Sequence, residues 1–180
     1  MNPTALYGFI AHGVILGALV ALLPLGGKRR IIGLVAVPVA LASGAAALMH
    51  GIVGTPSLTL LVIAIWHLAA ARPSLPGWRP ALALIAFALP FYAMALGAGP
   101  LDPYAAGYQP QPLLAASLPL AALLWWRRLD RCLLVLAVDL AGYASGLFAN
   151  LWDVLFDPLL VLLALLLLVM QLVRPHRLPR

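Results

Sequence analysis

Leu159-Leu160-Val161-Leu162-Leu163-Ala164-Leu165-Leu166-Leu167-Leu168-Val169-Met170 is a continuous apolar run, without a charge and without alternation. A strand of a membrane barrel would alternate in polarity over about ten residues. Lipid admits only helices or closed barrels, because unpaired backbone N–H and C=O groups are costly there. The run therefore reads as a helix in a membrane. The remainder of the chain agrees: 64% of its 180 residues are hydrophobic and 9% are charged. Soluble domains run about 45–50% apolar and about 25% charged. The expected fold is all-α, a polytopic transmembrane helical bundle forming a single integral domain over residues 1–180.

A span takes about 17–25 mostly apolar residues. Working back from the run, seven candidates emerge: Ala5–Leu25, Ile31–Val53, Ser57–Ala71, Ala81–Leu96, Leu113–Trp126, Cys132–Asn150 and Leu151–Val173. The third and fifth are short, as tilted or re-entrant segments would be. Asn150-Leu151-Trp152-Asp153 is the expected turn between the last two. The start, Met1-Asn2-Pro3-Thr4, lacks the basic region of a signal peptide, so the first run reads as a retained span.

Charge placement tests the count. All eleven basic residues fall in four places: Lys28-Arg29-Arg30, Arg72 with Arg79, Arg127-Arg128 with Arg131, and Arg174, Arg177 and Arg180. Seven spans put the four clusters on one side. The positive-inside rule makes that side cytoplasmic, with the N-terminus outside and the C-terminus in the cytoplasm. The pattern fits a bacterial inner (cytoplasmic) membrane. It also explains the net charge of +6 without nucleic acid, which would need a basic face on a soluble surface. Trp78, Trp125 and Trp126 beside these clusters read as interfacial anchors. The expected surroundings are the lipid bilayer and either a membrane-protein partner or a second copy of the chain. Cys132 is the single cysteine, which excludes an intrachain disulfide and a thiolate metal cluster. The connection Gly97–Pro112, rich in proline, reads as a stiff outer loop.

On this topology Asp102, Asp153, Asp157, His12, His50 and the five tyrosines gather toward the outer half. Asp139 lies near mid-membrane, Asp130 lies in the inner loop among arginines, and His67 is nearer the inner side. A charged aspartate at a helix centre costs about 2.5–3.5 kcal/mol, so Asp139 should be neutral or paired, with His12 a suitable partner. Asp153 and Asp157, four apart, would share one helix face. Pro158 would free the Val154 carbonyl. These three aspartates are the candidate catalytic residues, and His12, His50, Tyr143, Asn150 and Trp152 are candidates for substrate contact. A structural alternative stands beside each: Asp153 as a helix cap, and Asp157 held by a tyrosine or histidine with Pro158 in a first turn. His12 and His50 could also serve haem b or, with Asp153 and Asp157, a metal. No HxxxH or HExxH pair occurs, so no metal set is assigned and the cofactor stays open. His67 reads as a helix–helix hydrogen-bonding residue. Gly13 with Gly17, Ala42–Ala47 and Ala141–Gly146 read as close-packing faces.

Trp152-Asp153-Val154-Leu155-Phe156-Asp157-Pro158 resembles a stretch of the membrane carotenoid hydratases over seven residues, implying acids acting on an isoprenoid double bond. Asn150-Leu151-Trp152-Asp153 is similar to the Asn-x-x-Asp around one catalytic acid of lipoprotein signal peptidases, a four-span family whose other motifs are absent here. Three functions stay open on the sequence. One is an accessory, assembly or scaffold subunit of a membrane complex. Another is an intramembrane enzyme acting on a lipid or isoprenoid through Asp139, Asp153 or Asp157. The third is a transporter or channel for a small solute, proton or cation, narrowing at Asp139.

Overall fold

The computed structural model describes residues 2–70 and 75–173. Arg72, Arg174, His176, Arg177 and Arg180 lie outside the described residues. The chain is all-helical, with no strand among the described residues. Its helices are α1 (Pro3–Val20), α2 (Arg29–Ala42), α3 (Ala45–Val53), α4 (Leu58–Ala69), α5 (Trp78–Ala93), α6 (Gln111–Trp126), α7 (Asp130–Ala144), α8 (Leu151–Leu155) and α9 (Pro158–Val173). Among the described residues three stretches are long and apolar enough to cross a membrane: Pro3–Val20, Trp78–Ala98 and Leu151–Val173. Taking α2 and α3 together adds a fourth.

Several boundaries differ from the sequence expectation, each for a local reason. The second candidate span is not straight: α2 and α3 meet at a 76° bend. Gly44 sits there with φ +79°, a left-handed conformation that a side chain resists. Of the small residues around it only Ala46 is buried, so Ala42–Ala47 forms the bend rather than the close-packing face expected. Helix α7 stops at Ala144, and Gly146 at φ +76° turns the chain. The turn into the last span is therefore the stretch 145–150, earlier than Asn150–Asp153. Within that last span Phe156 is extended, so α8 and α9 are separate helices. The cause is Pro158, which lacks an N–H and disfavours helical geometry in the residue before it. Helix α6 starts at Gln111 with proline in its first turn, so the stiff loop is shorter than Gly97–Pro112.

The tightest crossing joins α1 and α2. A Cβ built on Gly17 would lie 2.7 Å from the Gly33 carbonyl oxygen and 2.5 Å from Val37 Cγ2. One built on Gly13 would lie 2.7 Å from Leu41 Cδ2. Residues four apart on α1 thus face residues four apart on α2, the close approach that small residues permit.

The start of α2 meets the end of α4. Arg29 opens α2 and is buried, 8% exposed. Its Nη2 donates to the Ala70 carbonyl at 2.9 Å, and its Nη1 lies 3.4 Å from His67 Nε2. Arginine has no acceptor, so His67 receives the bond as a neutral imidazole. His67 is thus the helix–helix hydrogen-bonding residue expected. Arg29 is more than a topogenic charge: it closes the C-terminal end of α4. Arg29→Met, which keeps the stem but not the donors, should cost about 1–3 kcal/mol of stability. Denaturant titration in detergent measures it, and an unchanged midpoint would contradict the capping role.

At the opposite end, the start of α1 meets the end of α7 through Thr4 Oγ1, which donates to the Leu147 carbonyl at 3.1 Å. Trp152 and Phe156 pack with Phe87 and Phe91 of α5 at centroid separations of 4.9–5.7 Å. This aromatic block fastens the α8–α9 break to α5.

Candidate functional site

The polar residues are arranged around two interruptions of helix, the connection Gly54-Thr55-Pro56-Ser57 and the break at Phe156–Asp157. Ser57 caps α4, its Oγ accepting from Leu60 N at 3.2 Å. Asp157 caps α9 in the same manner, Oδ1 accepting from Leu160 N at 2.7 Å, with proline in the first helical position. Its other oxygen, Oδ2, accepts from Ser57 N. One carboxylate therefore joins the starts of two helices. Asp153 and Asp157 do not share a helix face as their spacing predicted, because the helix between them is broken. Nor does the Val154 carbonyl gain a special role from Pro158, since α8 has ended before the proline.

Asp153 turns instead to the loop before α6. Tyr104 Oη donates to its two oxygens at 2.9 and 3.1 Å. Asn150, not Asp153, caps α8, accepting from Trp152 N at 2.9 Å while Nδ2 donates to the Tyr104 carbonyl at 3.1 Å. Trp152 Nε1 donates to the Pro103 carbonyl at 2.9 Å. Three of the residues singled out in the sequence thus pin the segment Asp102–Tyr108 down onto the bundle. Burial and the neighbouring Asp153 hold the Tyr104 hydroxyl above its ordinary value of 10.0. The folded chain keeps this proton longer than the unfolded one, so the contribution is intact below pH 10 and falls as pH rises beyond it. Alkaline unfolding curves should show this loss above pH 10, and Tyr104→Phe should remove it.

The histidines converge on one atom. His12 Nε2 lies 2.8 Å, and His50 Nδ1 3.1 Å, from the Gly54 carbonyl oxygen. A carbonyl only accepts, so both nitrogens carry protons. The rings lie 5.8 Å apart between centroids. His12 is therefore not the partner of Asp139, as the sequence suggested; Gly54 takes it. Tyr7 Oη adds a bond to the Pro56 carbonyl at 3.0 Å. His12 Nδ1 is buried without a partner among the described residues. Among those residues no three His, Cys, Asp or Glu side chains group at metal-binding spacing.

Asp139 has a different environment. It is 1% exposed on α7, and Thr59 Oγ1 of α4 donates to its Oδ2 at 2.6 Å. Its Oδ1 has no partner among the described residues. An unsatisfied buried polar atom costs about 1–3 kcal/mol, a cost that Asp139 shares with His12, His67 and Gln171 among the described residues. Beside it, a groove of about 390 Å³ lies between α7 on one side and α5 with α9 on the other, with α4 as its floor. Thr59 lines one end, and Arg131 and Cys132 line the other. A second apolar space of about 250 Å³ lies between α1, α4 and α9, with His67 on its wall.

Of the candidates, His12 and His50 come together; Asn150, Trp152 and Asp153 come together; Asp139 and Asp157 stand in separate bonds. Tyr143 is half-buried and joins none of these bonds among the described residues. Thr59, Ser57, Tyr104 and Arg29 were missed. Ser57 alone had a visible signal, a capping side chain immediately before an apolar run. No protein-family model, curated protein or solved structure matches this chain.

Proposed function

We propose that the protein is an accessory or assembly subunit of a membrane complex, a seven-span bundle with its N-terminus outside and its C-terminus in the cytoplasm. The observation that carries this reading is how the conspicuous polar residues are spent. Asp157, Asp153, Asn150, Trp152 and Tyr104 all discharge their hydrogen bonds in capping helices or seating a loop. Residues held in this way keep a shape. The seven-span count draws support from the basic end of the bundle, where the start of α2 meets the end of α4 and Arg131 shares a groove with Pro76 and Pro80. A bacterial inner membrane remains the setting that best suits the four basic clusters.

Helix α6 is where a partner would be sought, because it buries no residue in this chain and Leu118 is 72% exposed. A photo-crosslinking residue at Leu118 should give one discrete adduct with another polypeptide in native membranes. Adducts with lipid alone would contradict a subunit role. Asp139→Asn should leave that adduct unchanged.

A second reading is favoured by one specific observation, the partnerless Oδ1 of Asp139. In it the protein is an intramembrane enzyme acting on a lipid or isoprenoid, with Asp139 as general acid or base. Loss of a lipid product in membranes from an Asp139→Asn strain would support it, and an unchanged lipid profile would remove it.

A further inference from the structure

We propose that the groove between α7 and the α5–α9 pair is a binding site for one anionic membrane phospholipid. The phosphate would sit against Arg131 and one acyl chain would run inward toward Thr59. The proposal rests on the chain being membrane-embedded and is independent of whether it works as a subunit or an enzyme.

Three observations point to this occupant. The groove is open at the side and lined almost wholly by apolar side chains, among them Ile63, Leu84, Val135 and Leu163. A lateral apolar slot suits a hydrocarbon chain already dissolved in the bilayer. Its length also fits. From Arg131 to the level of Asp139, where Thr59 closes the slot, is eight residues of α7, about 12 Å at 1.5 Å per residue. One leaflet contributes about 15 Å of a hydrocarbon core about 30 Å thick. The slot is therefore about one leaflet deep, with its charged mouth at headgroup level.

The third observation is charge. Of the five acids in the chain, Asp102, Asp139, Asp153 and Asp157 accept hydrogen bonds away from this mouth. Asp130, next to Arg131, is the one side-chain carboxylate left among the described residues. Against it, Arg131 is the basic side chain that lines the groove, Arg29 being held by Ala70 and His67. An arginine at the mouth of an apolar slot favours an anionic head over a zwitterionic one.

Native mass spectrometry of the detergent-purified protein, titrated with phosphatidylglycerol and with phosphatidylcholine of identical chains, tests the assignment. The first phosphatidylglycerol should bind about fivefold more tightly than the first phosphatidylcholine. Arg131→Gln, at an exposed position, should abolish that preference, whereas Arg127→Gln should retain most of it. Val135→Trp, which fills the slot, should weaken both lipids. Equal losses in the Arg131 and Arg127 variants would mean diffuse surface attraction and overturn the proposal. So would unchanged binding in a folded Val135→Trp protein. Neither result bears on the Leu118 crosslink, so the failure of this site and of the subunit reading are distinguishable.

Discussion

Asp157→Ala is expected to lower stability by about 2–4 kcal/mol, more than any other aspartate substitution in the chain. The expectation follows from two bonds on one carboxylate. Removing it strips α9 of its cap, a loss of about 0.5–2 kcal/mol. It also leaves the Ser57 N–H buried without an acceptor, a further 1–3 kcal/mol or so. Ser57 is fully buried, so solvent does not reach it to take over the bond. Asp157→Asn keeps one carbonyl oxygen and should lose about half as much. Asp153→Ala removes only the Tyr104 bonds to the loop before α6 and should cost about 1 kcal/mol. Unfolding midpoints in mixed detergent rank the three. Equal effects at positions 153 and 157 would show that the two acids do equivalent jobs, contrary to the capping geometry.

Gly17→Leu should be the most damaging change outside the acids, costing about 3 kcal/mol or abolishing the fold. A side chain there meets the Gly33 backbone carbonyl, which cannot rotate away, and Val37 behind it. Helices α1 and α2 would have to part along their length, taking with them the packing that holds Arg29 against Ala70. Gly13→Ala should cost less, because its obstacle is the end of the Leu41 side chain. Gly27→Leu meets nothing within 4 Å and serves as the neutral control. Yield of folded protein by size-exclusion chromatography, followed by thermal unfolding, separates these cases. A Gly17→Leu protein as stable as Gly27→Leu would refute the crossing.

These two substitutions also mark the limit of what a sequence reveals. The Gly13–Gly17 pair was legible because small residues four apart have one common use on an apolar helix. The capping role was expected of Asp153, and Asp157, expected on a tyrosine or histidine, accepts from the backbone of Ser57 and Leu160 instead. Pro158 in a first helical turn was legible. The apolar run around it nevertheless argued for one continuous span. The bend at Gly44 was hidden for a similar reason: surrounded by alanines, a glycine reads equally well as a packing face. The partner of Asp139 was beyond reach, since it depends on how α4 and α7 are turned. Backbone acceptors were invisible altogether. Gly54 and Pro56 receive Tyr7, His12 and His50 through carbonyls that every residue possesses, so side-chain pairing was the natural but mistaken assumption.

The decisive measurement is the sidedness of the loops. In a Cys132→Ala background, single cysteines at Asn2, Gly27, Asp102 and Arg128 can be labelled with a membrane-impermeant maleimide, before and after opening the inner membrane. We predict reaction at Asn2→Cys and Asp102→Cys from outside, and at Gly27→Cys and Arg128→Cys only after the membrane is opened. Labelling of either of the latter two in intact spheroplasts would put a basic cluster on the outer face and contradict the seven-span bundle.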